Sequence, residues 1–327
     1  MTGRRMLFVR DFVAYSGGHG KVFDWFRHIE NHPDWTCSVW LTPRSRRTSD
    51  NPWVAAGIET LSDDRCPVEA FDALFLAGLD WNWAEPIQGQ PVINLIQSMR
   101  HADSHDPRYP FLSRPAIRIA VSKEIARAIT NVGCASSSVI VIPAAVDVPE
   151  LQAAAARARA VPGHSPILVD ATKDIALGLE VTDLLRRAGV ACNCLVEPLP
   201  REEYLRQLAR ATVAVVLPAM TEGFYLPALE AMAMGVPVVS CDAGGNREYL
   251  RPDVNALVAA REPQALANAA AMLADCKSLC GSLVGAGVAT AARFDLPNER
   301  HLVHKMLDRI LSIEDVPQPC HKSASSH

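Results

Sequence analysis

The sequence predicts an α/β protein made of two doubly wound domains, each a parallel sheet covered by helices on both faces. Three observations carry this. Short runs of near-continuous Val, Ile and Leu alternate with helix-patterned stretches, as strands buried on both faces require. Each run gives way to a polar or Gly-rich loop before the next helix. The rhythm occurs twice, and 327 residues is near the length at which one core divides into two.

Met6–Phe12 leads into AYSGGHG and then the helix-patterned KVFDWFRHIE. Pro91–Gln97 leads into SMRHADSHD. Ile117–Ser122 precedes KEIARAITNVG, a short helix closed by a glycine, and Ser138–Pro143 follows. In the second half PILVDAT precedes Lys173, and DIALGLEVTDLLRRAG reads as an amphipathic helix ending at Gly189. VACNCLVE, Val213–Ala219 and Val236–Gly245 are the later strands, with REEYLRQLARA between the first two. The expected division is an N-terminal domain over 1–150 and a C-terminal one over 164–292. The Ala/Arg-rich Asp147–Pro166 links them. A last helix within 293–313 packs back on the first domain, and the Pro- and Ser-rich 314–327 is a disordered tail.

The net charge of −4 gives no reason to expect nucleic acid or an anionic membrane as partner. Nine cysteines are scattered without CxxC spacing, which favours reduced thiols in a cytosol. The N-terminal apolar run is broken by Arg10 and Asp11, unlike a signal peptide. No apolar run reaches the ~20 residues of a spanning helix. The expectation is a soluble, cytoplasmic protein of undetermined oligomeric state.

In open parallel sheets, ligands bind beyond the carboxyl ends of the strands. Gly17, Gly18, His101, Lys173, Glu222, Gly244 and Gly245 all follow such ends, so two facing sheet edges would enclose a cleft. Glu222 and Glu230 flank a predicted helix start, with Pro227 suited to its first turn. The free N–H groups there favour an anion such as phosphate. A carboxylate on either side suits a ligand with hydroxyls on both sides of a phosphate, the form of a nucleotide sugar. The plainer reading is a solvated glutamate and a helix-surface one.

The intervening residues add to this. EGFYLPALEAMAMGVPVVSCDAGGNREYL, from Glu222 to Leu250, resembles the donor-binding segment of the retaining, GT-B-type glycosyltransferases of group 1 that carry the E-x7-E motif. Those typically read EGFGLPxLEAMAxGxPVV, followed by Asp or Ser, Gly-Gly and Glu. The resemblance spans roughly 167–258; the first half of the chain is similar only loosely. Tyr225 departs from the pattern, standing where the family has glycine, which would narrow the sugar pocket or alter sugar choice.

The resemblance implies a GT-B fold of two Rossmann-like domains facing across a cleft, the first on the acceptor side. It implies that Glu230 binds ribose hydroxyls and Glu222 the donor sugar, with Gly223 and the backbone of Phe224, Tyr225 and Leu226 near the donor. Gly17 and Gly18 carry over as the loop that approaches the donor phosphates and the acceptor, and His19, unusual for the family, is expected to face the acceptor. Lys173 matches a phosphate-binding lysine, but the family's arginine beside it is missing. Arg100, Arg118 or the Gly-rich loop's backbone remain as substitutes. His101 is placed in the cleft with a catalytic role. The family generally works without metal or cofactor beyond the nucleoside diphosphate sugar. His101, Asp103, His105 and Asp106 raise a metal reading, although such loop clusters are ordinarily solvated. Trp81 and Trp83 suit core packing better than sugar stacking. The reading is a glycosyltransferase acting on a small-molecule or glycan acceptor. The alternatives are a GT-B-fold sugar-nucleotide epimerase and a non-catalytic sugar-nucleotide or glycan-binding protein.

Overall fold

The computed structural model describes residues 3–85, 87, 89–133, 139–163 and 166–312. The expected tail at 314–327 lies outside them. The first sheet comprises β1 (Arg4–Arg10), β2 (Trp35–Leu41), β3 (Thr60–Leu61), β4 (Ala73–Ala77), β5 (Val92–Ile96), β6 (Ile117–Ala120) and β7 (Val139–Val141). They run in the order β3-β2-β1-β4-β5-β6-β7, every pairing parallel. The second comprises β8 (Ile167–Asp170), β9 (Cys192–Leu195), β10 (Ala214–Val216), β11 (Val238–Cys241) and β12 (Leu257–Ala259). Its order is β12-β11-β10-β8-β9, again all parallel. These are the two doubly wound orders, with strand direction of travel reversing between β1 and β4 and between β8 and β10. The fold expected from the sequence is the fold observed.

Burial explains the parallel strands. All residues of β4, β5, β8, β10 and β11 are buried. Helices α1 (Gly17–Glu30), α2 (Pro52–Ala55) and α3 (Lys123–Asn131) belong to the first sheet. Ser16 caps α1 by accepting from His19 N–H, and Ser122 caps α3 by accepting from Ile125 N–H. The Ala/Arg-rich stretch read as a linker is mostly a helix, α4 (Val148–Arg159). It packs on α6 (Arg201–Arg210) and α7 (Leu226–Ala233). Arg159 donates from Nε to the Ala209 carbonyl at 3.0 Å and from NH2 to that of Met234 at 2.7 Å. The second domain is completed by α5 (Ile175–Arg187), α8 (Pro263–Asp275) and α9 (Lys277–Ala291).

The chain crosses between the domains twice, at Val146 and Asp295, which pair as a single β-bridge. Helix α10 (Leu296–Ser312) then lies along α1 of the first domain. Glu299, wholly buried, accepts from Lys21 Nζ at 2.9 Å and sits 3.0 Å from His28 Nε2. Lys21 also meets Asp24 at 2.8 Å and the Ala145 carbonyl at 2.7 Å. A buried lysine satisfied three ways ties α10 and the crossing point to α1, whose first turn is the Gly-rich loop.

Candidate active site

The carboxyl edges of the two sheets meet at a seam of glycines. A Cβ at Gly223 would overlap the carbonyl oxygen of Gln97, just past β5, and come within 2.8 Å of Ile125 Cδ1 in α3. A Cβ at Gly245 would overlap the Gly223 carbonyl in turn. Glu222 and Gly244 form a β-bridge, and Gly245 N–H donates to the Glu222 carbonyl at 3.1 Å. Glycine is needed here because backbone packs on backbone. Gln97 also donates from Nε2 to the Gly18 carbonyl at 3.2 Å, so one residue touches both the Gly-rich loop and the Glu222 segment. Beside it, Glu248 accepts from the Lys123 N–H at 3.0 Å and from its Nζ at 3.1 Å. That carboxylate caps α3 from the opposite domain, satisfying a free N–H of its first turn.

Helix α7 begins at Leu226 with Pro227 in its first turn, as the spacing predicts. Its cap, Tyr225, has φ 66°, a left-handed conformation that glycine adopts freely and tyrosine does not. The Tyr225 side chain is buried rather than displayed to solvent, and its hydroxyl has no hydrogen-bond partner. Burial and then the Asp170 carboxylate raise its pKa well above the ordinary phenol value. Tyr204, on α6, donates to Asp170 Oδ2 at 3.1 Å, so two tyrosines crowd the end of β8. Phe224 is also buried, its ring 5.2 Å from Tyr249 and 5.8 Å from Phe294. Only its backbone can serve a ligand.

Each of the two glutamates faces a cation. Lys173, in the loop after β8, lies 4.0 Å from Glu222 Oε1, with both side chains partly exposed. Glu230, buried one turn inside α7, accepts from Arg201 NH2 at 2.6 Å. Arg201 opens α6 and was absent from the sequence reading. The rule that gathered the other residues, position just beyond a strand end, applies to it as well, since it follows β9.

Across the seam, Gly17 and Gly18 form the first turn of α1, and nothing lies within 4 Å of a Cβ built on Gly17. His19 Nδ1 is 2.7 Å from Arg10 NH2, and Arg10 pairs with the buried Asp80. Arginine has only donors, so Nδ1 accepts and the ring proton sits on Nε2. Burial and then Arg10 bring the His19 pKa down to about 4. Near neutral pH this histidine is a fixed neutral donor. His101 is buried at 4% exposure, and burial, then Arg108, lowers its pKa to about 3. It too is neutral.

Other expectations are redirected. Arg118 is fully buried and spends its guanidinium on Asn94 Oδ1 at 2.7 Å and on the carbonyls of Phe111 and Leu112 at 2.9 Å. It is a core residue, not a substitute for the missing arginine. Arg100 is exposed at the seam's edge. The four candidate metal ligands separate into local pairs, Asp103 with His105 at 3.2 Å and Asp106 with Arg108, leaving His101 buried. Among the described residues no three metal-ligating side chains converge. Trp81 packs inside, stacked 6.0 Å from Phe111.

Residues 176–275 match the family model of Glycosyl transferases group 1. Over that segment the chain is similar to the group 1 glycosyltransferases. Within it fall the Glu222–Glu230 pair, Arg201 and the whole of α7. The D-inositol 3-phosphate glycosyltransferase of Streptomyces griseus subsp. griseus is 36% identical over 112 residues, 34% of this chain. That match spans 24% of the relative, so the chain covers about a quarter of its length. Beyond the matched segment the likeness is structural. Sucrose-phosphate synthase from Thermosynechococcus elongatus superposes with a TM-score of 0.74 at 14% identity, over 95% of this chain and 100% of that one. HepE of Anabaena, in complex with UDP-glucose, gives 0.72 at 16% identity over 94% and 100%. The matched segment thus lies within the second domain of a GT-B fold.

Proposed function

We propose that the chain is a retaining glycosyltransferase that moves a sugar from a nucleoside diphosphate sugar to a hydroxyl of a small-molecule or glycan acceptor. The observation that carries this is the placing of Glu222 and Glu230 on either side of the α7 N-terminus, opposite the Gly17-Gly18 loop, inside the segment matched to group 1. In this reading the diphosphate lies before α7, where unpaired N–H groups favour an anion. Glu230 takes the ribose hydroxyls and Glu222 those of the sugar being transferred. The bond from the anomeric carbon to the β-phosphate oxygen breaks while the acceptor oxygen bonds that carbon on the same face. The acceptor's proton passes to the departing phosphate oxygen. The sugar becomes oxocarbenium-like, as in glycoside hydrolysis, and Lys173 meets the charge growing on the diphosphate. His19 and His101, both neutral, serve as hydrogen-bonding groups rather than cations. No metal takes part in this scheme.

UDP-glucose, held by HepE, is the first donor to test. Thermal shift against UDP, GDP and dTDP sugars should show one that stabilises the fold, by about 2.7 kcal/mol at a hundredfold excess over Kd. Nucleoside diphosphate should then appear only when acceptor is added. Interconversion of the sugar without acceptor would identify an epimerase instead. Stabilisation without any turnover would favour the binding protein, a reading that draws on Tyr225 and the missing arginine.

A further inference from the structure

The two glutamates hold cations from different loops, and the two pairs are not alike. The Lys173–Glu222 contact is loose at 4.0 Å. The Arg201–Glu230 bond is tight at 2.6 Å, joining a carboxylate 6% exposed to a guanidinium side chain 46% exposed. Glu230 is therefore the fixed partner, and the Arg201 side chain is the more exposed of the two. The Tyr15 hydroxyl, in the Gly-rich loop, has its pKa raised first by burial, and of the charges around it feels Arg201 ahead of Glu230. Two other arginines of the second domain are engaged elsewhere. Arg261 bonds Asp174 at 3.0 Å and the Pro218 carbonyl at 2.9 Å, and Arg247 pairs with Asp242.

Resting on the donor-site reading above, we propose that Arg201 is the second cation of the diphosphate site. On donor binding its guanidinium leaves Glu230 for the phosphates, and the freed carboxylate takes the ribose hydroxyls. The exchange leaves no charged group without a hydrogen-bonding partner. An Arg–carboxylate bond is traded for an Arg–phosphate bond of matching fork geometry, and the carboxylate regains hydrogen bonds from the ribose. A half-exposed arginine at a helix start has the freedom for such a move, whereas a buried one such as Arg118 does not. The arginine absent from the loop after β8 is thus supplied from the start of α6.

Calorimetry with UDP and GDP, and with uridine and guanosine, tests this on the full chain. Arg201→Gln should weaken binding of the preferred diphosphate roughly 10- to 100-fold while leaving nucleoside affinity unchanged or higher, because Glu230 is no longer shielded. Arg201→Lys, which keeps the charge, should recover part of the diphosphate affinity. Retained nucleoside binding shows that the variant's site is folded. Equal losses for nucleoside and diphosphate, in a variant that melts like the wild type, would mean that Arg201 only holds Glu230 in place. Undiminished diphosphate binding would remove it from the site altogether. A wild-type chain that binds no nucleoside diphosphate overturns the donor reading itself, and this assignment with it.

Discussion

At the scale of single residues, the site turns on how two glutamates divide their work. Glu230→Gln replaces a charged acceptor with a neutral amide against ribose. Hydrogen bonds to charged groups contribute about 1.5–3 kcal/mol, so nucleoside affinity should fall roughly 10- to 100-fold. The loss should be smaller for the diphosphate, because Arg201, released from its 2.6 Å bond, is then free for phosphate. Glu222→Gln should leave free-nucleotide binding nearly intact and lower kcat, since its contact strengthens as the sugar leaves. Equal weakening of free-nucleotide binding by both substitutions would show the division to be wrong. Lys173→Ala, at an exposed loop position, should retain the fold and slow transfer far more than it weakens nucleoside monophosphate binding. Unchanged kcat would remove Lys173 from the chemistry. The glutamate spacing was readable in the sequence because a motif lies in one continuous stretch. Arg201 was not, since its pairing with Glu230 joins two segments 29 residues apart, and only folding brings them together.

At the scale of elements, the regular strand–helix units were the legible ones. The overlooked strands are β2, β3, β4 and β12, most of them beside crossovers without a full helix. After β4 the chain makes only a short 3-10 turn at Asp80–Asn82 before β5, and α2, between β2 and β3, has four residues. With no helical pattern to separate them, the apolar runs of β2 and β4 lose their rhythm. Helix α4 went unseen for the opposite reason: its Ala/Arg composition suits a helix but hides its buried stripe of Leu151, Ala155 and Ala158. Turn chemistry was clearer at α7, where Pro227 starts the helix and Gly223 permits the seam. Gly223→Ala places a methyl group on the Gln97 carbonyl, so the domains must part or the loop must shift. The expected result is a larger radius of gyration in solution scattering and weaker transfer, with the melting temperature little changed. An unaltered profile with full activity would show that the seam relaxes locally.

At the scale of the whole molecule, two sheets of different strand order share one seam, one paired crossing point and one returning helix. Buried charge runs through these junctions, and it makes stability depend on pH. His101 takes a proton near pH 6.5 when unfolded but only at about 3 in the fold, and His19 at about 4. Below pH 6.5 the unfolded chain therefore binds more protons than the native one, so stability falls as pH drops. For His101 alone the loss between pH 7 and pH 5 is about 2 kcal/mol. The lowered carboxylates, Asp11 and Asp106, act only at more acidic pH. Burial, by contrast, raises Asp80 to about 6, so it takes up a proton in the fold within this window and offsets part of the histidine loss. Urea unfolding should show a midpoint that falls from pH 7 to pH 5, and a shallower fall in His101→Gln, which keeps polar bulk but cannot titrate. An equal fall in that variant would place the pH dependence elsewhere. A midpoint that does not move would mean that proton uptake by Asp80 in the fold offsets both histidines.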